Sequence, residues 1–227
     1  MSIARVPADP PHDLRELPAL TTAVEVQDHG LLRRVLELTI ALTALLVLAP
    51  LMLVIALLVA TTSRGPVIYR QTRIGHGGRP FQILKFRTMT ADADQHAEAL
   101  FAVVDDGSGP LHKVYDDPRV TTVGRWLRRS SLDELPQLWN VVNGTMALVG
   151  PRPATEREVA RFTRRDHRRH AVRPGVTGIT QVSGRSDLDW EDAIRLDLDY
   201  IENRSLWLDL RILLRTLPAV VRGRGAY

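Results

Sequence analysis

The chain has 227 residues, with 30 basic against 26 acidic side chains for a formal charge of +4, and it is 44% apolar and 25% charged. That is the composition of one folded domain of moderate size with an appendage, and it excludes a wholly disordered or collagen-like chain. Cysteine is absent, which excludes disulfides, thiolate metal sites, a catalytic thiol and iron–sulfur ligation.

The charge is unevenly placed. Residues 1–30 carry Arg5 and Arg15 against Asp9, Asp13, Glu16, Glu25 and Asp28, so the basic excess lies wholly after residue 30. From Leu38 to Ser63 no residue is charged, and nearly all are Leu, Val, Ile, Ala or Thr. This run passes the length at which a membrane helix is the default reading, and it starts too late and runs too long for a signal peptide. Pro50 stands at its centre, where it removes a helical hydrogen bond and crowds the preceding turn. Straight, the run would reach about 39 Å at ~1.5 Å per residue; broken at Pro50, each arm reaches about 18 to 20 Å, short of a ~30 Å hydrocarbon core. Arg33 and Arg34 before the run and Arg64, Arg70, Arg73 and Arg79 after it give both flanks the positive charge of a cytoplasmic face. The pattern therefore predicts a re-entrant hairpin over 31–64, with a kinked spanning helix as the alternative. Under both, residues 65–227 lie in the cytosol.

After the run, Pro66–Ile74 and Pro80–Arg87 are short stretches rich in Val, Ile, Tyr and Phe around Gly75-His76-Gly77-Gly78, which predicts a β-hairpin with a glycine loop. Residues 91–104 read as a helix, 105–110 as a turn and 111–119 as irregular. Val123, Trp126 and Leu127 form the apolar stripe of a short basic helix. In SSLDELPQLWNVVNG, Leu132, Leu135, Leu138, Trp139 and Val142 recur at helical spacing and leave Asp133, Glu134 and Gln137 on the surface, with Asn143-Gly144 as the stop. Residues 161–173 hold six Arg and one Asp, and Trp190–Tyr200 and Leu206–Val221 read as amphipathic helices.

Three groups could carry chemistry. Asp133 and Glu134 stand among Arg125, Arg128, Arg129 and Gly150-Pro151-Arg152-Pro153, which places carboxylates among cations suited to phosphate. A carboxylate can attack phosphorus to give an acyl phosphate, and its neighbour can hold Mg²⁺. The competing reading is a capping box at Ser131-Leu132-Asp133-Glu134, with acids stabilising a first helical turn, although Pro136 would delay or bend that helix. Lys85 and Arg87 alternate with Arg79 and Phe81 along the second strand, where they could grip a diphosphate or line a solvated edge. The arginines between 161 and 173 suit an anionic lipid surface or plain solvation, and they lack the interleaved aromatics of a nucleic-acid site. Three DxD triplets (Asp92-Ala93-Asp94, Asp187-Leu188-Asp189, Asp197-Leu198-Asp199) carry little weight among 26 acids. No Walker A, G-x-G-x-x-G or H-E-x-x-H motif is present, and the His residues show no metal-ligand spacing.

Taken together, YRQTRIGHGGRPFQILKFRTM, SLDELPQLWNVVNGTMALVGPRP and PGVTGITQVSGR resemble the bacterial sugar transferase family, the monotopic phosphoglycosyl transferases, from about Arg33 to Arg215. The resemblance implies an α+β fold, with a membrane hairpin over 31–64 broken at Pro50 and a mainly helical cytosolic catalytic domain over 65–227 with a small β-hairpin, while the acidic N-terminal segment over 1–30 matches nothing in it. The family often has Ser before that proline, where this chain has Ala49. The implied activity moves a sugar 1-phosphate from a UDP-sugar to polyprenyl phosphate with Mg²⁺, releasing UMP, at the start of exopolysaccharide, capsule or O-antigen synthesis. Asp133 would be the nucleophile and would share the metal with Glu134, while Lys85, Arg87, Arg128, Arg152 and Pro153 would hold phosphates and substrate. Partners would be UDP-sugar, polyprenyl phosphate and membrane lipid, without nucleic acid; the sequence leaves a homo-oligomer open. Against this stand a lipid- or nucleic-acid-binding adaptor without chemistry and a DxD glycosyltransferase that would release UDP.

Overall fold

The computed structural model describes residues 30–90, 93, 117–184 and 188–222. Residues 1–29, the helix expected over 91–104, the turn over 105–110 and most of the stretch to 119 lie outside the described residues.

Helix α1 runs from Gly30 to Thr62 with Pro50 inside it. The chain thus stays helical where the sequence predicts a break. One proline deletes one i→i−4 bond, and here the turns on both sides are held by packing. Before Pro50, Ala41, Ala44, Leu45 and Leu48 join the main core with Ile83, Leu138, Val141 and Met146. After it, Met52, Ile55, Ala56 and Val59 join a second cluster with Phe86 and Leu127. Polar contacts fasten its start as well. Arg33 meets Asp209 at 3.0 Å, and Arg34 donates to the carbonyls of Val141 and Val142 at 2.7 and 2.9 Å. The outward face is apolar and exposed, with Leu31, Leu46, Val47 and Leu53 foremost. Among the described residues α1 is the one helix long and apolar enough to cross a membrane.

The expected hairpin is present. Strands β1 (Ile68–Ile74) and β2 (Pro80–Phe86) pair antiparallel, with Tyr69 opposite Lys85 and Arg73 opposite Phe81. Gly77 and Gly78 in the connecting turn take positive φ, which glycine adopts without steric cost. Helix α2 (Thr122–Arg129) is capped by Thr121, whose hydroxyl accepts from the Gly124 amide. A Cβ at Gly124 would fall 2.0 Å from the Thr88 carbonyl oxygen, so glycine is what lets α2 lie against the chain leaving β2.

A 3₁₀ turn (Leu132–Glu134) and helix α3 (Gln137–Val142) follow. Strand β3 (Ala147–Val149) then pairs in parallel with β4 (Gly175–Thr177), a second small sheet the sequence does not foretell. Between these strands lie α4 (Glu156–Val159), which carries a true capping box between Thr155 and Glu158, and a 3₁₀ segment over Asp166–Ala171. Helices α5 (Ile179–Ser183), α6 (Trp190–Glu202) and α7 (Leu206–Arg222) complete the domain. Ile194, Leu198, Ile201 and Ile212 turn into the main core, while Trp207, Leu210, Leu214 and Leu217 leave an exposed apolar stripe along α7.

Candidate active site

The Asp133-Glu134 pair does not sit on the surface of a continuous helix. Ser131 adopts a left-handed conformation (φ 55°, ψ 17°) and its side chain makes no cap hydrogen bond, so the capping-box reading fails. The 3₁₀ turn ends at Glu134, Pro136 occupies the position before α3, and the helical phase restarts at Gln137. Proline suits that place because its missing amide is no loss at a helix start. The shift in phase reverses the expected placement of three residues: Asp133 is 7% exposed and Gln137 2%, whereas Trp139 is 54% exposed.

Asp133 is therefore buried, yet among charges. Lys85 Nζ meets Glu134 Oε1 at 2.6 Å in a part-exposed ion pair. Burial pushes the Asp133 carboxyl up to about 6; the neighbouring Glu134 pushes the same way, while Lys85 and Arg128 oppose it. Arg128 donates through Nε to the Thr88 hydroxyl at 2.9 Å, which fixes the side chain beside the pair. The strand that carries Lys85 is docked by a residue the sequence reading passed over. Asn140 on α3 accepts from the Leu84 amide at 3.0 Å and donates to the Gln82 carbonyl at 2.8 Å, pairing the free edge of β2 as a neighbouring strand would. Lys85 and the Asp-Glu turn are thus held in register by one buried amide.

Arg87 does not join Lys85. The strand ends at Phe86, and the Arg87 guanidinium turns to the end of α1, where Nη2 donates to the carbonyls of Ser63 and Val59 at 2.7 and 3.3 Å and Nη1 donates to the Pro66 carbonyl. It closes the last turn of the apolar helix, a role open to arginine near a helix C-terminus. The expected diphosphate grip by Lys85 and Arg87 is therefore not formed; Lys85 alone faces the carboxylates.

The Gly150-Pro151-Arg152-Pro153 loop leaves β3 where glycines allow very close strands. A Cβ at Gly175 would fall 2.1 Å from the Gly150 amide nitrogen. The Arg152 side chain is exposed and Pro153 is buried. Arg73, another residue missed from sequence, donates to the Pro153 carbonyl at 3.1 Å and to Gln71 Oε1 at 2.7 and 3.0 Å. The Arg73 pKa is lowered to about 10, chiefly by burial and then by Arg152, against the opposing Glu158, Tyr69 and Glu134. Its guanidinium thus feels both the loop and Glu134. Alternation along β1 could have pointed to it, since Tyr69, Gln71 and Arg73 share the face that bears Lys85.

This arrangement, a buried carboxylate among a lysine, an arginine and a second, part-exposed carboxylate, suits phosphoryl chemistry. Comparison with known proteins points the same way. The sequence model of the bacterial sugar transferase family matches residues 28–223. The exopolysaccharide production protein ExoY of Rhizobium meliloti is 42% identical over 201 residues, covering 87% of this chain and 89% of that protein. The chain belongs to the bacterial sugar transferase family. Other relatives include the UDP-glucose:undecaprenyl-phosphate glucose-1-phosphate transferase of Caulobacter vibrioides, 42% identical over 86% of this chain and 72% of that protein. The undecaprenyl-phosphate galactose phosphotransferase of Salmonella typhimurium is 38% identical over 86% of this chain but only 42% of its own length. The chain is accordingly an enzyme of the phosphoglycosyl transferase class.

In this sugar transferase the arginine cluster is largely engaged within the fold. Arg165 pairs with Glu191, Arg168 with Glu202 and Arg169 with Asp197, and Arg173 lies 3.9 Å from Glu37. That removes most of the bare basic surface on which an adaptor would depend. The DxD triplets fare no better. Asp197 is buried against Arg169, Asp199 accepts from Asn203, and Asp189 caps α6, while Asp92, Asp94 and Asp187 lie outside the described residues. Among the described residues no three His, Asp or Glu side chains cluster as a metal site.

Proposed function

We propose that the enzyme transfers a sugar 1-phosphate from a UDP-sugar to polyprenyl phosphate in two displacements, with Asp133 as the nucleophile. In the first, an Asp133 carboxylate oxygen attacks the sugar-linked phosphorus, the phosphoanhydride bond breaks and UMP leaves. In the second, a phosphate oxygen of the polyprenyl carrier attacks the same phosphorus and Asp133 departs as carboxylate. Lys85 and Arg128 hold that carboxylate ionised against the burial that raises its pKa, and Arg152 with Arg73 nearby offers positive charge to the diphosphate. Asp133 and Glu134 would also hold Mg²⁺. Their chemistry fits, because this hard cation takes one or two carboxylates from a protein and phosphate oxygens for the rest, and the buried Asp133 carboxyl lacks full compensation. Bound there, Mg²⁺ would neutralise phosphate oxygens that otherwise repel an incoming carboxylate.

The membrane assignment has its own support. Both halves of α1 pack on one domain, which suits a helix that dips into one leaflet and leaves the domain on the cytoplasmic face, since a spanning helix could not keep its whole length against a soluble domain. The exposed stripe of α7 would add contact with the same surface. A site at that level serves one lipid and one soluble substrate.

The burial of Asp133 between Lys85 and Arg128 carries this reading. Its test is the order of release: with Mg²⁺ and a UDP-sugar but no lipid, UMP should appear in stoichiometric amount. UMP that appears only when polyprenyl phosphate is present would contradict the double displacement, and release of UDP would indicate transfer of the sugar without its phosphate.

A further inference from the structure

Two successive carbonyls of the proline-rich loop are each held by an arginine that is itself locked in place. Arg169, on the 3₁₀ segment before β4, donates through Nη2 to the Arg152 carbonyl at 3.1 Å. The same nitrogen meets Asp197 of α6 at 2.6 Å, and the guanidinium lies 5.8 Å from the ring centres of both Phe162 and Trp190. Arg169 is 9% exposed and Asp197 1%, so neither is open to a soluble phosphate. Arg73 holds the next carbonyl, that of Pro153, and is backed by Gln71 and by Glu158 at 3.7 Å. Charged donors make stronger and more directional bonds to carbonyls than neutral ones. The carbonyl before Arg152, that of Pro151, accepts from the Gly175 amide of β4 at 3.0 Å, so the backbone is pinned on both sides of Arg152 and its side chain loses the freedom to swing.

We propose that Arg169 with Asp197, and Arg73 with Gln71 and Glu158, are positioning residues that fix the Arg152–Pro153 backbone so that the Arg152 guanidinium is aimed at the donor diphosphate. This rests on the reading of Arg152 as a substrate-binding residue. The backing carboxylates are essential to the device, because an arginine without a fixed partner would leave the carbonyl for the more strongly charged substrate. Misplacement of a binding group by about 1 Å can cost on the order of 10²-fold in rate, so a loose loop should weaken use of the donor without touching Asp133.

The test is a double-mutant cycle on donor kcat/KM in the full-length enzyme, with UDP-sugar as the varied substrate. R152A should lower it by about 30-fold, as expected for loss of a charged phosphate contact. The paired substitution Arg169→Met with Asp197→Leu removes the clamp without leaving an orphan charge in the interior, and should lower donor kcat/KM by about 10-fold while leaving kcat within about twofold. In the R152A background the same pair should have less than about a twofold effect, since coupled residues are non-additive. Equal losses in both backgrounds, or no loss in the wild-type background, would overturn the clamp. A silent R152A would instead show that Arg152 does not bind donor, and would remove the clamp's purpose with it. Should the paired variant fail to fold, Arg169→Lys keeps a charge opposite Asp197 but gives up the guanidinium that also serves the Arg152 carbonyl. It should show the same coupling to R152A, and an additive result there would equally overturn the proposal.

Discussion

Two ion pairs in this enzyme have the same length and opposite characters. Lys85–Glu134 and Arg169–Asp197 both close to 2.6 Å, but the first has side chains 24% and 37% exposed and the second 9% and 1%. Distance therefore says little about what each pair does. Water reaches the first, so its partners can be exchanged for a substrate phosphate or a cation at small cost. The second is dry, so removal of one partner strands a charge in the interior. On the function proposed above, the part-exposed pair serves chemistry and the buried pair serves the scaffold that holds it in place.

The sharpest way to break the comparison is to delete one partner from each pair. Asp197→Ala should destabilise the fold by about 3–5 kcal/mol, read as a shift in denaturant midpoint, because Arg169 is left uncompensated. Lys85→Met should shift stability by less than about 1 kcal/mol yet cut turnover about 10²-fold, roughly 2.7 kcal/mol of transition-state stabilisation. If the two variants exchanged these signatures, the division into chemistry and scaffold would be wrong. Arg87→Ala extends the contrast to a cation that sequence alternation groups with Lys85. Stability should fall by about 1–3 kcal/mol as the carbonyls at the end of α1 lose their donor, with donor KM changed less than about twofold.

Acid should weaken the scaffold side selectively. Burial, aided by the adjacent His167 and Arg169, lowers the His170 pKa to about 4. Its ordinary value is 6.5, so on acidification the unfolded chain takes up this proton first. Stability from this group is whole above about pH 6.5 and is lost as pH falls toward 4, by about 1–2 kcal/mol at pH 5. Both His170 ring nitrogens lack a hydrogen-bond partner, so His170→Phe should flatten that part of the pH–stability curve relative to wild type. An unchanged slope would show that His170 titrates normally. The smallest effect concerns the turn before the site: Ser131→Gly should stabilise by up to about 0.5–1 kcal/mol by easing the left-handed conformation, with Ser131→Ala moving the other way.

The sequence was most legible where one local rule sufficed. The apolar run, the glycine loop of the hairpin and the amphipathic periods of α6 and α7 all appear close to their expected bounds. It was least legible where local order and tertiary contact disagree. An apolar stripe counted from Leu132 to Val142 assumes one helical phase, but Ser131 and Pro136 divide that stretch into a 3₁₀ turn and a new helix, which buries Asp133 and exposes Trp139. Strand alternation put Arg87 beside Lys85 because nothing local marks Phe86 as the last paired residue. Asn140 acts through partners 56 and 58 positions away, Arg73 through one 80 away and Arg169 through partners 17 and 28 away, contacts that one sequence cannot display. The motif around Asp133 thus suggested chemistry by residue type alone, while its geometry came only with the fold.

The central claim is that the Asp133 carboxyl carries the phosphorylated sugar between the two substrates, and intact-protein mass spectrometry tests it directly. Enzyme incubated with UDP-sugar and Mg²⁺ in the absence of polyprenyl phosphate should gain the mass of one sugar phosphate, located on the peptide that contains Asp133 and removed when the lipid is added. A protein whose mass stays unchanged while turnover proceeds normally once both substrates are present, or an Asp133→Asn variant that gains the same mass, would contradict it.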